Sequence, residues 1–218
     1  MKTVNILIAD DHELIRDGIK SRLEKQPGWR VCAEAVNGRQ AVELALRLKP
    51  RVVVMDIGMA ELNGIEATRQ IRKACPEIEV LILTLQESED LIQEALTAGA
   101  RGFILKTDAA RLIIGAIEAL LDHKAFFTGK VSNLVLERFL DPELAVNPGS
   151  RARSRLTSRE REIVQLLAEA RTSKEIAAKL GVSVKTIDAH RANVMRKLDF
   201  HSVAELVRYA VRNKIIEA

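Results

Sequence analysis

Aromatic residues are scarce: one Trp, one Tyr and five Phe in 218 residues. Any core the chain builds must therefore be aliphatic. Cysteine is rarer still, with only Cys32 and Cys75, in no metal-binding or redox spacing. Both read most simply as small core residues in a reducing compartment. No apolar run approaches the roughly 18 residues that a membrane span requires. The first apolar stretch, Val4 to Ala9, is too short for a signal peptide and runs into two aspartates. A cytoplasmic protein that does not engage the membrane is expected. No Gly-x-Gly-x-x-Gly follows a strand-like run, which argues against a dinucleotide-dependent enzyme.

What is present is ordinary globular material, 47% hydrophobic and 29% charged, enough for one large core or two smaller ones. The net charge of +4 conceals an asymmetry. Residues 1–150 hold 19 Lys and Arg against 22 Asp and Glu, whereas residues 151–218 hold 15 against 8. A short basic segment behind a mildly acidic one suggests a polyanion partner for the C-terminal part.

The first 120 residues alternate between short β-branched runs and amphipathic stretches. The runs are Val4 to Ile8, Arg30 to Ala35, Arg51 to Met55, Val80 to Leu83 and Gly102 to Leu105. Between them, sets such as Ala41, Leu44, Ala45 and Leu48 recur at helical spacing. Fivefold strand–helix alternation predicts an α/β fold with a doubly wound, five-stranded parallel sheet. The near-continuous apolar strands fit a sheet buried on both faces. Residues 124–153 break the rhythm: an amphipathic stretch from Val131 to Leu140 predicts a short helix, and Asn147-Pro148-Gly149-Ser150 reads as a linker. A domain over 1–123, a linker over 124–153 and a smaller all-α domain over 154–218 are expected. In the last, Thr157 with Glu160, Thr172 with Glu175, and Ser202 with Glu205 form hydroxyl–carboxylate capping boxes. A further helix begins near Ser183, after Gly181, and the pair over 173–180 and 184–198 has helix-turn-helix dimensions.

In a doubly wound sheet, ligands bind at the carboxyl ends of the strands. There the sequence puts Asp10 and Asp11, Asp56, Thr84 and Lys106. Taken singly, each has a plainer reading: a helix N-cap, a β-former, a solvated lysine. Together they form a site. Clustered carboxylates repel unless a cation sits among them, and an oxygen-seeking ion such as Mg2+ would satisfy them. A carboxylate can attack phosphorus to give an aspartyl-phosphate, and a metal, a lysine and a hydroxyl can then neutralise the phosphoryl oxygens. An aspartate-dependent phosphohydrolase would need Asp-x-Asp after the first strand, and the chain has adjacent Asp10-Asp11.

Asp10-Asp11, Met55-Asp56-Ile57-Gly58-Met59, Asn63-Gly64, Thr84 and Gly102-Phe103-Ile104-Leu105-Lys106 together resemble the receiver-domain signature over residues 3–122. The resemblance implies a flavodoxin-like receiver in which Asp56 is phosphorylated by a sensor histidine kinase. It implies Mg2+ held by Asp10, Asp11, Asp56 and the backbone carbonyl of Gly58, and a phosphoryl group contacted by Thr84 and Lys106. Thr84 and Phe103 match the switch positions, although Phe103 reads equally as plain core. The chain departs from the pattern at Ala60, where proline is usual; the loss of a fixed φ would loosen the loop after Asp56.

The C-terminal segment resembles the LuxR-type module of NarL/FixJ regulators. The residues that carry the likeness are Leu156 to Glu162, Lys174-Glu175-Ile176-Ala177, Gly181-Val182-Ser183, Lys185-Thr186-Ile187, His190 and Arg196-Lys197-Leu198. Ile187, His190, Arg191, Val194 and Leu198 share one face of the helix from Val184, and that face should pack inward. Lys185, Asp188, Ala189, Ala192 and Arg196 lie opposite, on a face narrow enough to enter the ~12 Å major groove. Ser173, Lys174, Lys185, Thr186 and Lys197 are candidates for the DNA backbone, where contacts set register without reading sequence. Asp188 either accepts from a cytosine amino group or pairs with Lys185. Val203, Leu206, Val207 and Ala210 form a stripe on the last helix that is either a dimer contact or core packing. The resemblance implies double-stranded DNA as partner, a homodimer on phosphorylation, RNA polymerase as a further candidate partner, and transcription regulation rather than enzymatic output. Any catalysis would be the receiver's own phosphoryl transfer and hydrolysis. The competing reading is a DNA-binding regulator whose receiver is never phosphorylated and only mediates interactions.

Overall fold

The structure is a computed structural model, and it describes residues 3–85, 88–129, 131–132, 156–213 and 215–216. The chain divides into two compact units, Met1–Leu140 and Asp141–Ala218.

The first unit alternates as the periodicity requires. β1 (Val4–Ala9) leads to α1 (Glu13–Leu23), β2 (Trp29–Ala35) to α2 (Gly38–Leu48), β3 (Val52–Asp56) to α3 (Gly64–Ala74), and β4 (Glu79–Thr84) to α4 (Glu89–Thr97). β5 (Gly102–Leu105) passes through a 3-10 turn at Lys106–Asp108 into α5 (Ala109–Leu121). Side chains of successive strand residues divide between two cores. Leu7, Val53, Met55, Val80, Ile82 and Phe103 meet α2, α3 and α4 on one face, and Ile6, Ile8, Val54, Leu81, Leu83 and Ile104 meet α1 and α5 on the other. Residues two apart on a strand point the same way, which is why two helical layers can be served by one sheet.

The sheet has six strands, not five. β6 (Phe126–Phe127) pairs in parallel beside β5, with Gly102 opposite Phe126 and Phe103 opposite Phe127. Its two phenylalanines cap the two cores, Phe127 on one face and Phe126 on the other. The strand order β2-β1-β3-β4-β5-β6 reverses direction at the β1/β3 boundary. A crevice opens at such a switch point, beyond the carboxyl ends of β1 and β3. Of the expected helix over Val131–Leu140, residues 133–140 lie outside the described residues, as does the linker from 133 to 153.

The second unit is helical throughout its described residues: α6 (Ser158–Ala168), α7 (Ser173–Leu180), α8 (Val184–Leu198) and α9 (Val203–Arg212). All three expected capping boxes form, at Thr157/Glu160, Thr172/Glu175 and Ser202/Glu205, and Ser183 caps α8. α7 stops at Gly181, which takes the left-handed conformation at φ 65° that glycine adopts without Cβ strain. A small aliphatic core of Ile163, Val164, Leu166, Ile176, Ile187 and Val194 holds these helices together.

Candidate functional site

The strand ends of the first unit bring four of the expected groups to one place. Asp56 is the last residue of β3 and Asp10 follows β1; both are buried. Lys106, in the 3-10 turn after β5, reaches across so that its Nζ lies 2.8 Å from Asp10 Oδ2 and 2.9 Å from Asp56 Oδ2. The second Asp56 oxygen, Oδ1, accepts the backbone N–H of Ile57 at 2.8 Å. Thr84 ends β4, buried, in register with Leu105. Asp11 stands at the rim, more than a third exposed.

Burial makes ionisation of Asp56 costly and lifts its pKa to about 6; Lys106 pulls the other way, while Asp10 and Asp11 push it further up. Lys106 is also buried, which works against its charge, but its bonds to Asp10 and Asp56 outweigh burial and raise its pKa. Three carboxylates thus face one ammonium, a surplus of negative charge that a divalent cation would balance. Ligand atoms of Asp10, Asp11, His12 and Asp56 all lie within 4.8 Å of one another. The residues present therefore fit a metal ion.

Two supports of this site carry no periodic signal in the sequence. His12, the N-cap residue of α1, donates its backbone N–H to Asp10 Oδ1 at 2.9 Å, and its Nδ1 lies 3.2 Å from Asp10 Oδ1 and 2.8 Å from Asp11 Oδ1. Adjacency to the aspartate pair was its one available cue. Arg16, one turn into α1, donates from Nη1 to the Asp10 carbonyl at 2.8 Å and is braced by Glu34 of β2, whose Oε1 accepts from Lys20.

The loop after Asp56 turns at Ala60 without the proline that is usual there. Leu62 N donates to the Ala60 carbonyl at 2.8 Å around Glu61 at φ 69°, a γ-turn, and Ile57, Met59 and Leu62 are buried. Gly58 is half-buried within this loop. Gly64 closes it: its N–H donates to the Ile57 carbonyl, and a Cβ there would lie 1.8 Å from the Asp56 carbonyl oxygen. Only glycine permits that approach. Phe103 lies fully buried in the core beneath α2, α3 and α4.

In the second unit, α8 divides as its sequence pattern requires. Ile187 and Val194 are buried, and His190, Arg191 and Leu198 are half-buried against them. Lys185, Thr186, Asp188, Ala189, Ala192 and Arg196 are all exposed on the far side. Lys174 is exposed and Ser173 half-buried at the start of α7. The exposed face of α8 is thus cationic at both ends and small in the middle, dimensions that suit a nucleic-acid groove. Lys197 is committed inside the unit: its Nζ donates to both carboxylate oxygens of Glu160 at 2.7 Å and ties α8 to the first turn of α6.

Family models agree with both halves of this geometry. The response regulator receiver domain matches residues 6–118, and the luxR family of bacterial regulatory proteins matches residues 154–210. The chain belongs to the response regulator family. It is a two-component response regulator with a LuxR-type DNA-binding domain.

Relatives span the regulator from end to end. It is 36% identical over 213 residues to the transcriptional regulatory protein LiaR of Bacillus subtilis, covering 98% of this chain and 99% of that one. It is 34% identical over 221 residues to the response regulator VraR of Staphylococcus aureus, covering 99% and 100%. Among solved structures, the complex of the two-component response regulator RcsB with DNA superposes with a TM-score of 0.58 at 26% identity, covering 95% of this chain and 98% of that one.

One expected assignment in the regulator is corrected by burial. Of the α9 stripe, Leu206 and Ala210 are consumed by the unit's own core, 1% and 0% exposed, and cannot serve as dimer contacts. Val203, at 45% exposed, and half-buried Val207 remain at the surface. An amphipathic stripe marks what a helix buries but not against which surface. Among the described residues, no helix is long and apolar enough to cross a membrane.

Proposed function

We propose that Asp56 is the phosphoryl acceptor through which a sensor histidine kinase controls DNA binding and transcription. The observation that carries this reading is the Lys106 ammonium bridging Asp10 and Asp56 at 2.8 and 2.9 Å at the sheet's switch point. Asp10, Asp11, Asp56 and the Gly58 carbonyl would hold Mg2+, which supplies charge neutralisation at the phosphoryl oxygens when bound. Asp56 Oδ2 attacks phosphorus in line with the kinase imidazole nitrogen, so that the O–P bond forms as the P–N bond breaks and the imidazole leaves, while the other Asp56 oxygen stays oriented by the Ile57 N–H. Lys106 then transfers its pairing from the carboxylate to the new phosphoryl oxygens, and Thr84 donates its hydroxyl to them. The movement of Thr84 is matched by Phe103 in the adjacent core, and the pair shifts a pre-existing equilibrium of the receiver. Reversal by water would be the receiver's own catalysis.

The domains assigned to this mechanism are the receiver over 1–123, a linker over 124–153 and the DNA-binding domain over 154–218. In the last, Lys185, Asp188, Ala189, Ala192 and Arg196 face base edges in the major groove. Ser173, Lys174, Lys185, Thr186 and Lys197 face the phosphates, Lys185 at the groove edge where it reaches both, and Lys197 by releasing one of its two Glu160 bonds. A phosphorylated homodimer would use Val203 and Val207 and read paired half-sites. The setting is the cytoplasm, where the DNA-bound regulator would meet RNA polymerase.

Selection from random-sequence duplexes tests this reading. Phosphorylated full-length chain should enrich a two-half-site sequence that Asp56→Asn, treated identically, binds more weakly. Lys185→Ala should weaken binding and lower the salt slope by about one. Equal enrichment and affinity for wild type and Asp56→Asn would overturn control by phosphorylation.

A further inference from the structure

His12 completes the acidic cluster with something the three aspartates lack, a nitrogen donor. Its Nδ1 sits between two carboxylate oxygens, 3.2 Å from Asp10 Oδ1 and 2.8 Å from Asp11 Oδ1. A proton occupies that bridging position when the imidazole donates to these oxygens, and a cation accepted by the same three atoms would take its place. All four candidate ligand atoms, with Asp56 included, lie within 4.8 Å of one another. Two donors on one ion at roughly 2.0–2.2 Å can be at most about 4.4 Å apart, so only a few tenths of an ångström of closure is needed. The groups that would move are the more exposed ones: the His12 side chain is 52% exposed and that of Asp11 37%. Asp10 is fixed, buried and gripped through its carbonyl by Arg16. As N-cap of α1, His12 has extended backbone geometry at φ −87° and ψ 109° and makes no capping bond with its side chain, whose Nδ1 lies instead against the two aspartates.

We propose that His12 is a fifth protein ligand, beside the three aspartates and the Gly58 carbonyl, that makes this a mixed oxygen–nitrogen centre. It would favour a divalent transition ion over Mg2+, Co2+ strongly and Mn2+, the hardest of the series, to a smaller degree. Imidazole adds little for a hard ion that holds its water tightly, and more for ions further along the divalent series. The inference rests on the reading of Asp10, Asp11 and Asp56 as the metal site and adds which metal that site prefers. The regulator's phosphoryl chemistry would then respond to the ratio of transition ion to Mg2+ in its surroundings.

The test uses the full chain with Mn2+ as probe and Mg2+ as competitor. Pulsed electron paramagnetic resonance on the Mn2+ complex should show coupling to one imidazole 14N, and His12→Gln should abolish it. Competition titrations should show the Mn2+-to-Mg2+ affinity ratio falling on the order of tenfold in His12→Gln. Asp11→Asn should weaken Mn2+ binding and diminish the nitrogen coupling with it, because both ligands serve one ion. Mn2+ bound to wild type without nitrogen coupling, or an unchanged affinity ratio in His12→Gln, would overturn the inference and leave the carboxylate site standing. Failure of folded wild type to bind either Mn2+ or Mg2+ would instead overturn the carboxylate site itself, and the inference with it.

Discussion

Asp56 ends a strand that is buried along its whole length, and the loop beyond it must turn away at once to leave the carboxylate accessible. Gly64 is the residue that allows this, through the approach of its Cα to the Asp56 carbonyl. Gly64→Ala forces a Cβ into a backbone atom that cannot swing aside. A loss of about 1–3 kcal/mol is expected, the range for overpacking a tight site. Urea unfolding followed by Trp29, the chain's one tryptophan, reads it out. A second residue-scale consequence lies in the other unit. Burial pushes the Glu160 carboxylate up, but its bonds to Lys197 and Thr157 outweigh burial and hold its pKa below the ordinary 4.5. The folded value is below the unfolded one, so the stabilisation is complete above about pH 4.5 and is lost as pH falls through the folded value. Near-UV circular dichroism of Tyr209, the one tyrosine, should show Glu160→Gln closing its stability gap to wild type as the pH is lowered from 5 to about 3. A gap independent of pH would mean that the Lys197 pair contributes nothing through charge.

At the scale of elements, legibility followed the strength of local rules. Five strands, α2 and the four helices of the second unit obey a period of 2 or 3.6, or announce themselves with a cap, and they stand where those signals put them to within a residue or two among the described residues. β6 has two residues, Phe126 and Phe127, too few to show any period. It exists because the edge of β5 and two open core margins accept it, which only the folded sheet reveals. The same limit explains α9. Its stripe is plain in the sequence, but the choice between core and partner is made by α6, against which Leu206 and Ala210 pack. Leu206→Ala should cost about 2–5 kcal/mol as a core truncation, whereas Val203→Ser at the exposed position should change stability by less than about 0.5 kcal/mol. Thermal unfolding of both variants checks the division. Comparable losses in the two would return Val203 to the core. His12 and Arg16 were illegible for a different reason. They act by reaching backward onto Asp10, and no periodicity encodes a contact made by a single loop-adjacent side chain.

For the whole molecule, two cores in the first unit serve one sheet whose carboxyl edge gathers charge, and a separate aliphatic core holds a helix with a cationic outer face. The acceptor residues were readable because four strand ends in a parallel sheet share an edge by topology. Ala60, where proline is usual, predicts a looser loop after Asp56 and leaves open a receiver that is never phosphorylated. The loop nevertheless closes through the Leu62–Ala60 γ-turn over buried Met59 and Leu62, so no chemical group of the acceptor site is displaced by the missing proline. Everything then depends on whether Asp56 takes a phosphoryl group. Intact mass after incubation with Mg2+ and acetyl phosphate, on folded wild type and Asp56→Asn, decides it. One phosphoryl adduct on wild type and none on Asp56→Asn is the expected result. Wild type without an adduct under these conditions and with its cognate kinase, or an adduct that persists in Asp56→Asn, would contradict the assignment of Asp56 as the switch.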